Sequence, residues 1–219
     1  MHYDLGSGMI IKTENAAKSF QQVSRFLTSL LERLPHVESS FDYGCGKLRY
    51  QRAILKRTDT LAVVDSEIQL SRPQRLFGRL DTIRETVARS NRVAAYNDTE
   101  FQELPSEFDR GFCISVLSVV SILAARRRLL RTIHSHLSAS GKCLFVVQYR
   151  NSDFTRMSAL PNARPWRDGF ILDSLRGYSF YGLIRPERLI LLLERQGFLI
   201  DSVFLNEGSV YVWAGKAET

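Results

Sequence analysis

The sequence predicts an α/β fold with a seven-stranded, mostly parallel sheet, helices on both faces and an antiparallel C-terminal hairpin. Short apolar runs alternate with helical segments through residues 38–149, a pattern typical of parallel strands joined by crossover helices. The last two apolar runs, "GFLIDSVFLNE" and "SVYVWAGK", instead follow one another across a tight turn at Glu207 and Gly208. Such a pair predicts a hairpin, so one edge of the sheet is expected to be antiparallel.

Length and composition predict a single domain over residues 1–219. The chain is long enough to bury a full core, 44% of its residues are hydrophobic, and neither a linker nor an internal repeat interrupts it. No apolar run reaches the roughly 20 residues that a membrane helix needs, and the first residues lack the pattern of a secretory signal. Three widely separated cysteines fit reduced thiols. The sequence therefore predicts a cytoplasmic protein with no membrane partner.

The first predicted element is an amphipathic helix over residues 13–35. Thr13 can cap its start and Pro35 can end it. Its apolar positions recur at steps of three and four residues: Ala16, Phe20, Val23, Phe26, Leu27, Leu30, Leu31 and Leu34.

The predicted parallel strands follow this helix. The first ends at Asp42, and the others are residues 60–65, 92–97, 108–116 and 143–149. The connection after the last of these strands, residues 150–185, is too long for an ordinary strand-to-helix link and predicts a lid or acceptor-binding insertion.

A glycine-rich turn, "DYGCG" (residues 42–46), lies where the first strand runs out. In an open parallel sheet this turn commonly cradles a ligand. Gly44 and Gly46 allow close approach of the backbone, and a helix starting near Lys47 would point its free N–H groups at the ligand. Asp65 ends the next strand, close to the roughly 20-residue spacing at which an acid binds ribose hydroxyls.

Two other interpretations explain this pattern less well. The glycines can simply ease a turn while Asp65 caps a helix, but the joint spacing is then unexplained. A nicotinamide cofactor usually requires a third glycine, whereas Lys47 and Leu48 follow Gly46.

The segments "FDYGCGKLR", "VVDSE" and "FDRGFCISVLSVV" resemble the motifs of class I S-adenosylmethionine-dependent methyltransferases, and the resemblance covers most of residues 38–149 and the final hairpin. It implies a Rossmann-like fold with S-adenosylmethionine as cofactor. It also implies the cofactor-binding residues Asp42, Tyr43, Gly44, Cys45, Gly46, Asp65, Ser66, Asn97, Asp98, Ser115, Val116 and Leu117. Asp42 and the glycines would surround the methionine part, Asp65 would hold the ribose, Asn97 and Asp98 would lie near the adenine, and residues 115–117 would line the floor.

The chain departs from this family at two positions. Leu48 replaces a frequent third glycine, and Ser118 stands where many members carry histidine. The Asn/Asp-Pro-Pro-aromatic clamp for base amines and the Pro-Cys nucleophile are both missing. His134 and His136 are expected to be surface residues that bind no metal, because two-residue spacing on a helix points them to different sides. The sequence identifies no catalytic residue.

The acceptor is expected to bind at the insertion. Arginine and aromatic residues alternate there, and such pairs can grip phosphate and stack on bases. Together with a net charge of +7, they favour a nucleic acid, RNA or single-stranded DNA. A small-molecule acceptor and a non-catalytic cofactor-binding interaction module are the alternatives. The candidate acceptor residues are Tyr149, Arg150, Asn151, Arg164, Trp166 and Tyr181.

Overall fold

A computed structural model describes residues 2–6, 8–18 and 22–216. In chain order the elements are β1 (His2–Asp4), β2 (Ile10–Lys12), a 3₁₀ turn (Thr13–Ala16), α1 (Arg25–Glu32), β3 (Val37–Tyr43), α2 (Gln51–Leu55), β4 (Thr58–Val64), α3 (Glu67–Ser71), β5 (Gln74–Leu76), β6 (Arg79–Asp81), α4 (Ile83–Val87), β7 (Val93–Tyr96), α5 (Asp98–Gln102), β8 (Phe108–Ile114), α6 (Leu123–Ser135), β9 (Leu137–Gln148), α7 (Ser152–Ser158), β10 (Ala163–Trp166), β11 (Gly169–Ser174), β12 (Gly177–Gly182), α8 (Pro186–Glu194), β13 (Phe198–Asn206) and β14 (Ser209–Lys216). Within this described part of the chain, no helix is both long and apolar enough to cross a bilayer.

The central sheet has seven strands in the order β13-β14-β9-β8-β3-β4-β7. The five strands from β9 to β7 are parallel, and β14 and β13 complete the sheet in antiparallel pairing. Glu207 and Gly208 both have positive φ, at 46° and 72°, as the tight turn of such a hairpin requires. The predicted fold class is therefore confirmed.

Helices cover both faces of this sheet because its strands are apolar on both sides. Alternation sends Ala62 and Val64 of β4 into one buried cluster and Leu61 and Val63 into the other. This double burial explains why the parallel strands appear in the sequence as continuous apolar runs.

The predicted helix over residues 13–35 is wrong in its first half. A 3₁₀ turn ends at Ala16, Ala17 is extended, and α1 begins only at Arg25. Ser24 starts α1 because its Oγ accepts a hydrogen bond from the N–H of Leu27 at 3.1 Å. Residues 19–21, which the prediction included, lie outside the described residues.

A second, five-stranded sheet has the order β1-β2-β12-β11-β10. It joins the N-terminal strands to the insertion (residues 150–185), through a parallel pairing of β2 with β12 at Ile11 and Tyr178. The insertion is also tied to α6, since Arg126 forms a bidentate ion pair with Asp168 at 2.5 and 3.1 Å. The insertion therefore packs as an ordered layer beside the carboxyl ends of the central strands.

Candidate active site

A cleft opens at the carboxyl ends of β3, β4 and β8. Its floor comes from the loops after these strands, and its other walls come from the N-terminal segment 13–18 and from the insertion. The lining residues are Thr13, Glu14, Ala16, Ala17, Lys18, Asp42, Tyr43, Gly44, Cys45, Gly46, Lys47, Arg49, Tyr50, Asp65, Gln69, Ile114, Ser115, Val116, Ser118, Val119, Val120, Gln148, Phe154 and Tyr181.

The turn after β3 needs its glycines for two different reasons. Gly44 has a φ of 79°, and a Cβ there would lie 2.3 Å from Cγ2 of Val116. Gly46 has a φ of 56°, but a Cβ there would meet no heavy atom nearer than 4.0 Å. The backbone at Gly46 therefore faces the open cleft, whereas Gly44 is packed against the loop after β8.

The helix expected near Lys47 begins later. Residues 46–50 form turns, and α2 starts at Gln51, so its free amides lie beyond the glycine turn. Leu48, at the position of the absent third glycine, has a φ of 57° and a fully buried side chain. The left-handed backbone of Leu48 lets the chain turn toward α2 while the leucine fills the core.

Asp65 links the loops after β3 and β4. Its Oδ2 accepts from the N–H of Gly46 at 2.9 Å, and its Oδ1 accepts from the N–H of Ser66 at 2.8 Å. Each carboxylate oxygen retains a lone pair for a further donor. Burial raises the pKa of Asp65 to about 6 despite these two hydrogen bonds.

Asp42 is a second buried carboxyl group on the cleft wall. It is 4% exposed, and burial followed by the charge of Asp65 raises its pKa to about 7. Two acidic groups with raised pKa values in one cleft are typical of a functional site.

Comparisons with known proteins point to one fold. No protein-family model matches the chain. It is 29% identical over 212 residues to "Uncharacterized protein YmfD" of Escherichia coli (strain K12), which covers 95% of this chain and 94% of that protein.

Three solved structures illustrate the structural likeness. The PH0226 protein from Pyrococcus horikoshii OT3 matches with a TM-score of 0.68 and 12% identity over 92% of this chain and 95% of its own. An S-adenosylmethionine-dependent methyltransferase from Clostridium acetobutylicum ATCC 824 matches with a TM-score of 0.59 and 12% identity, covering 92% and 94%. The chain has the class I methyltransferase fold. The pyocyanin biosynthetic protein PhzM also matches, with a TM-score of 0.59 and 20% identity over 87% of this chain, but this chain spans only 54% of its length.

The methyltransferase fold brings nine of the predicted site residues to the cleft. They are Asp42, Tyr43, Gly44, Cys45, Gly46, Asp65, Ser115, Val116 and Tyr181. Ser115 has a φ of 64°, an uncommon conformation for a residue with a side chain, which turns the loop after β8 toward the cleft.

The four remaining predicted cofactor residues do not line the cleft. Leu117 is completely buried in the core. Ser66, Asn97 and Asp98 line a separate hollow beyond Asp65. Asp98 still braces the cleft wall, because its carboxylate accepts a hydrogen bond from the Tyr43 hydroxyl at 2.7 Å.

Five of the six predicted acceptor residues also lie outside the cleft lining. The amides of Tyr149 and Arg150 donate to the carbonyl of Gly208. Asn151 caps α7 and lines a hollow that shares Tyr181 with the cleft. Arg164 and Trp166 belong to β10, at the outer edge of the second sheet.

The sequence did not predict several residues that line the cleft, including segment 13–18, Gln69 and Ser118, the last of which it singled out only as a departure from the family. The segment 13–18 reaches the cleft only because β2 pairs with a strand of the insertion. The Ser118 hydroxyl and the Gln69 side-chain oxygen are buried with no hydrogen-bond partner among the described residues. Both residues line the cleft, so both atoms can accept a ligand donor there.

Proposed function

We propose that the protein is an S-adenosylmethionine-dependent methyltransferase. The observation that carries the proposal is the position of Asp65, whose carboxylate is fixed by the amides of Gly46 and Ser66 with a lone pair free on each oxygen. Such a carboxylate at the end of the second parallel strand is suited to accept hydrogen bonds from both hydroxyls of a ribose.

The surrounding residues fit the rest of this cofactor. The space above the Gly46 backbone is open, so a ligand can lie directly against this turn. A side chain at this position would take up that space. Asp42 offers a carboxylate at the turn, and Ser118 and Gln69 offer side-chain oxygens that have no partner in the described part of the chain. When bound, S-adenosylmethionine supplies an activated methyl group.

The chain itself chiefly positions the acceptor and shields the reacting groups from water. The cleft is walled by Phe154 and Tyr181 of the insertion and by the segment 13–18. These walls exclude water and hold an acceptor in line with the methyl group. Ser118 replaces the histidine frequent in the family, so the cleft offers no imidazole base at that position. An acceptor that is already nucleophilic requires no base for attack.

The packing of the insertion favours a small-molecule acceptor. Phe154, Phe170 and Phe180 are 7%, 4% and 0% exposed. The first two pack on the Tyr181 ring, with centroids 5.3 and 5.5 Å away. Rings buried in this way are not available to stack on bases. The nucleic-acid acceptor stays a prediction from the alternating arginine and aromatic residues of the insertion and from the net charge.

The decisive binding experiment is calorimetric titration of S-adenosylmethionine. Asp65→Ala removes two hydrogen bonds to a charged acceptor, each worth about 1.5 to 3 kcal/mol, so we expect affinity to fall about 100-fold or more. Asp65→Asn keeps one acceptor oxygen and should lose less. Asp59→Ala, which changes an exposed carboxylate with a side chain 64% accessible, is the matched control. Equal affinity in wild type and Asp65→Ala, or no binding to folded wild type, refutes the proposal.

Turnover and acceptor class require labelled cofactor. We expect methyl label to pass to the small-molecule fraction of a cell extract rather than to its RNA or single-stranded DNA. Label in the nucleic-acid fraction that nuclease releases would favour the other acceptor class. Absence of label in every fraction, from protein that binds the cofactor, would identify a non-catalytic interaction module.

A further inference from the structure

A second cavity lies against the outer side of the N-terminal segment that walls the cleft. It has a volume of about 530 Å³ and shares Glu14, Ala17 and Lys47 with the cleft. Four cationic residues from three separate parts of the chain converge on it: Lys47, Arg72, Arg75 and Arg176. We call this the cationic cavity.

The cations of this cavity are held together by the fold. The Arg72 guanidinium donates to the carbonyl of Glu14 at 3.1 Å, and the side-chain amide of Asn15 donates to the carbonyl of Arg176 at 2.9 Å. The N-terminal segment thus fixes both the loop after α3 and the β11–β12 turn beside Lys47. The Arg72 guanidinium is thus positioned by a main-chain carbonyl, and the contact with Asn15 fixes the backbone that carries Arg176.

Cations outnumber acids among the described residues that line the cavity. Among the described residues that line the cavity, Glu14 is the one acid, and its carboxylate receives a hydrogen bond from His2 at 2.7 Å. Within residues 2–6, 8–18 and 22–216, none of the four cations forms an ion pair with a carboxylate at 4.0 Å or less. The Nε of Arg72 is buried and has no hydrogen-bond partner among these residues.

The pKa values of Lys47 and Arg72 also reflect the closeness of the cations. Burial, followed by the charges of Arg72 and Arg176, lowers the pKa of Lys47. Burial also lowers the pKa of Arg72, although the charges of Glu14 and Asp65 oppose this shift and outweigh the further lowering by Arg176. A bound anion would offset both effects, because an opposite charge nearby favours the protonated cations.

We propose that the cationic cavity binds a phosphate or carboxylate group of the methyl acceptor, so that the acceptor is an anionic small molecule. This rests on the proposed methyltransferase function. Glu14, Ala17 and Lys47 line both spaces, so an acidic group among the arginines would lie directly beside the cleft that holds the nucleophilic end of the same molecule. Arginine suits this role because its planar fork donates two hydrogen bonds to a carboxylate or phosphate.

The binding test uses inorganic phosphate and succinate as probes, titrated at constant ionic strength and followed by thermal melting and calorimetry. We expect saturable binding of at least one probe to wild type. Arg176→Gln should weaken it about tenfold, the loss expected from one charge-assisted contact. Arg72→Gln should act at least as strongly. Arg127→Gln, which removes the same charge from the exposed face of α6, is the control and should bind like wild type.

Phosphate binding without succinate binding identifies a phosphorylated acceptor, and the reverse identifies a carboxylate. Absence of saturable binding for both probes overturns the proposal. The proposal is also overturned if Arg127→Gln loses as much probe affinity as Arg176→Gln, because the loss then reflects the net charge of the protein rather than the cavity.

A second measurement separates the acceptor from the cofactor's own carboxylate. Arg176→Gln should bind S-adenosylmethionine within about twofold of wild type, because it lies outside the cleft lining. A parallel tenfold loss of cofactor affinity overturns the assignment to the acceptor. Failure of the Asp65 experiment would refute methyl transfer, whereas failure of the phosphate and succinate titrations alone would refute only the anionic acceptor.

Discussion

The two glycines of the turn after β3 allow a prediction in which one substitution controls for the other. Both have positive φ, so Gly44→Ala and Gly46→Ala each place a side chain in the left-handed region, at a cost of about 1 to 2 kcal/mol. Only Gly44→Ala also drives a methyl group to 2.3 Å from the Val116 side chain. Overpacking of this kind adds about 1 to 3 kcal/mol.

We therefore expect Gly44→Ala to lower the free energy of unfolding by roughly 2 to 5 kcal/mol and Gly46→Ala by roughly 1 to 2 kcal/mol. Entropy changes in the unfolded chain are the same for the two variants and cancel in the comparison. Urea denaturation of the two variants beside wild type measures the difference directly.

The two variants should rank in the opposite order for ligand binding. The methyl group of Gly46→Ala projects into the cleft, so we expect this variant to lose cofactor affinity by at least about tenfold while remaining the more stable of the two. Equal destabilisation by both substitutions would refute the assignment of Gly44 to packing. Unchanged cofactor affinity in Gly46→Ala would refute the assignment of Gly46 to the cleft.

Three further predictions concern charge. Because ribose hydroxyls favour the ionised carboxylate, affinity for S-adenosylmethionine should rise with pH through about pH 6, the pKa of Asp65; calorimetry across that range should give a flat profile for Asp65→Asn. The raised pKa of Asp42 means that the folded state holds its proton more tightly than the unfolded chain, so stability should fall as pH rises from about 4 to about 7. Urea midpoints of Asp42→Asn should show a shallower fall, and an unchanged slope would contradict the buried acid. Arg126→Met should cost about 3 to 5 kcal/mol because it leaves Asp168 without its buried partner, whereas Arg126→Met with Asp168→Leu should recover most of that loss in a double-mutant cycle.

The sequence predicted those parts of the fold and the cleft that are formed by residues close together along the chain. Parallel strands buried on both faces give continuous apolar runs, and the glycine turn and Asp65 lie at fixed positions after two of them, so the sheet and the strand-end side of the cleft were predictable. The turn residues of the hairpin, Glu207 and Gly208, were equally predictable, because a tight hairpin turn itself requires their positive φ values.

Long-range contacts account for what sequence reasoning missed. A helical apolar period ran through Ala16, but the pairing of β2 with β12 draws the segment 13–18 onto the cleft instead. His136 was expected on the surface, yet it is 4% exposed and stacks on Phe101 with ring centroids 4.4 Å apart. Arg72 and Arg176 were separate charges in the sequence, and only the fold brings them to one cavity.

The pairing of the N-terminal strands with the insertion has a consequence for synthesis on the ribosome. Asn15 and the Arg176 carbonyl that it contacts are 161 residues apart. At 5 to 20 residues per second, roughly 8 to 30 s pass between the emergence of the two partners. During that interval β1 and β2 have no strand to extend, and the edge of β2 stays open to other chains. The cleft therefore gains its N-terminal wall only near the end of translation, and a nascent chain stalled before β12 should be unable to retain cofactor even when most of its central sheet has formed.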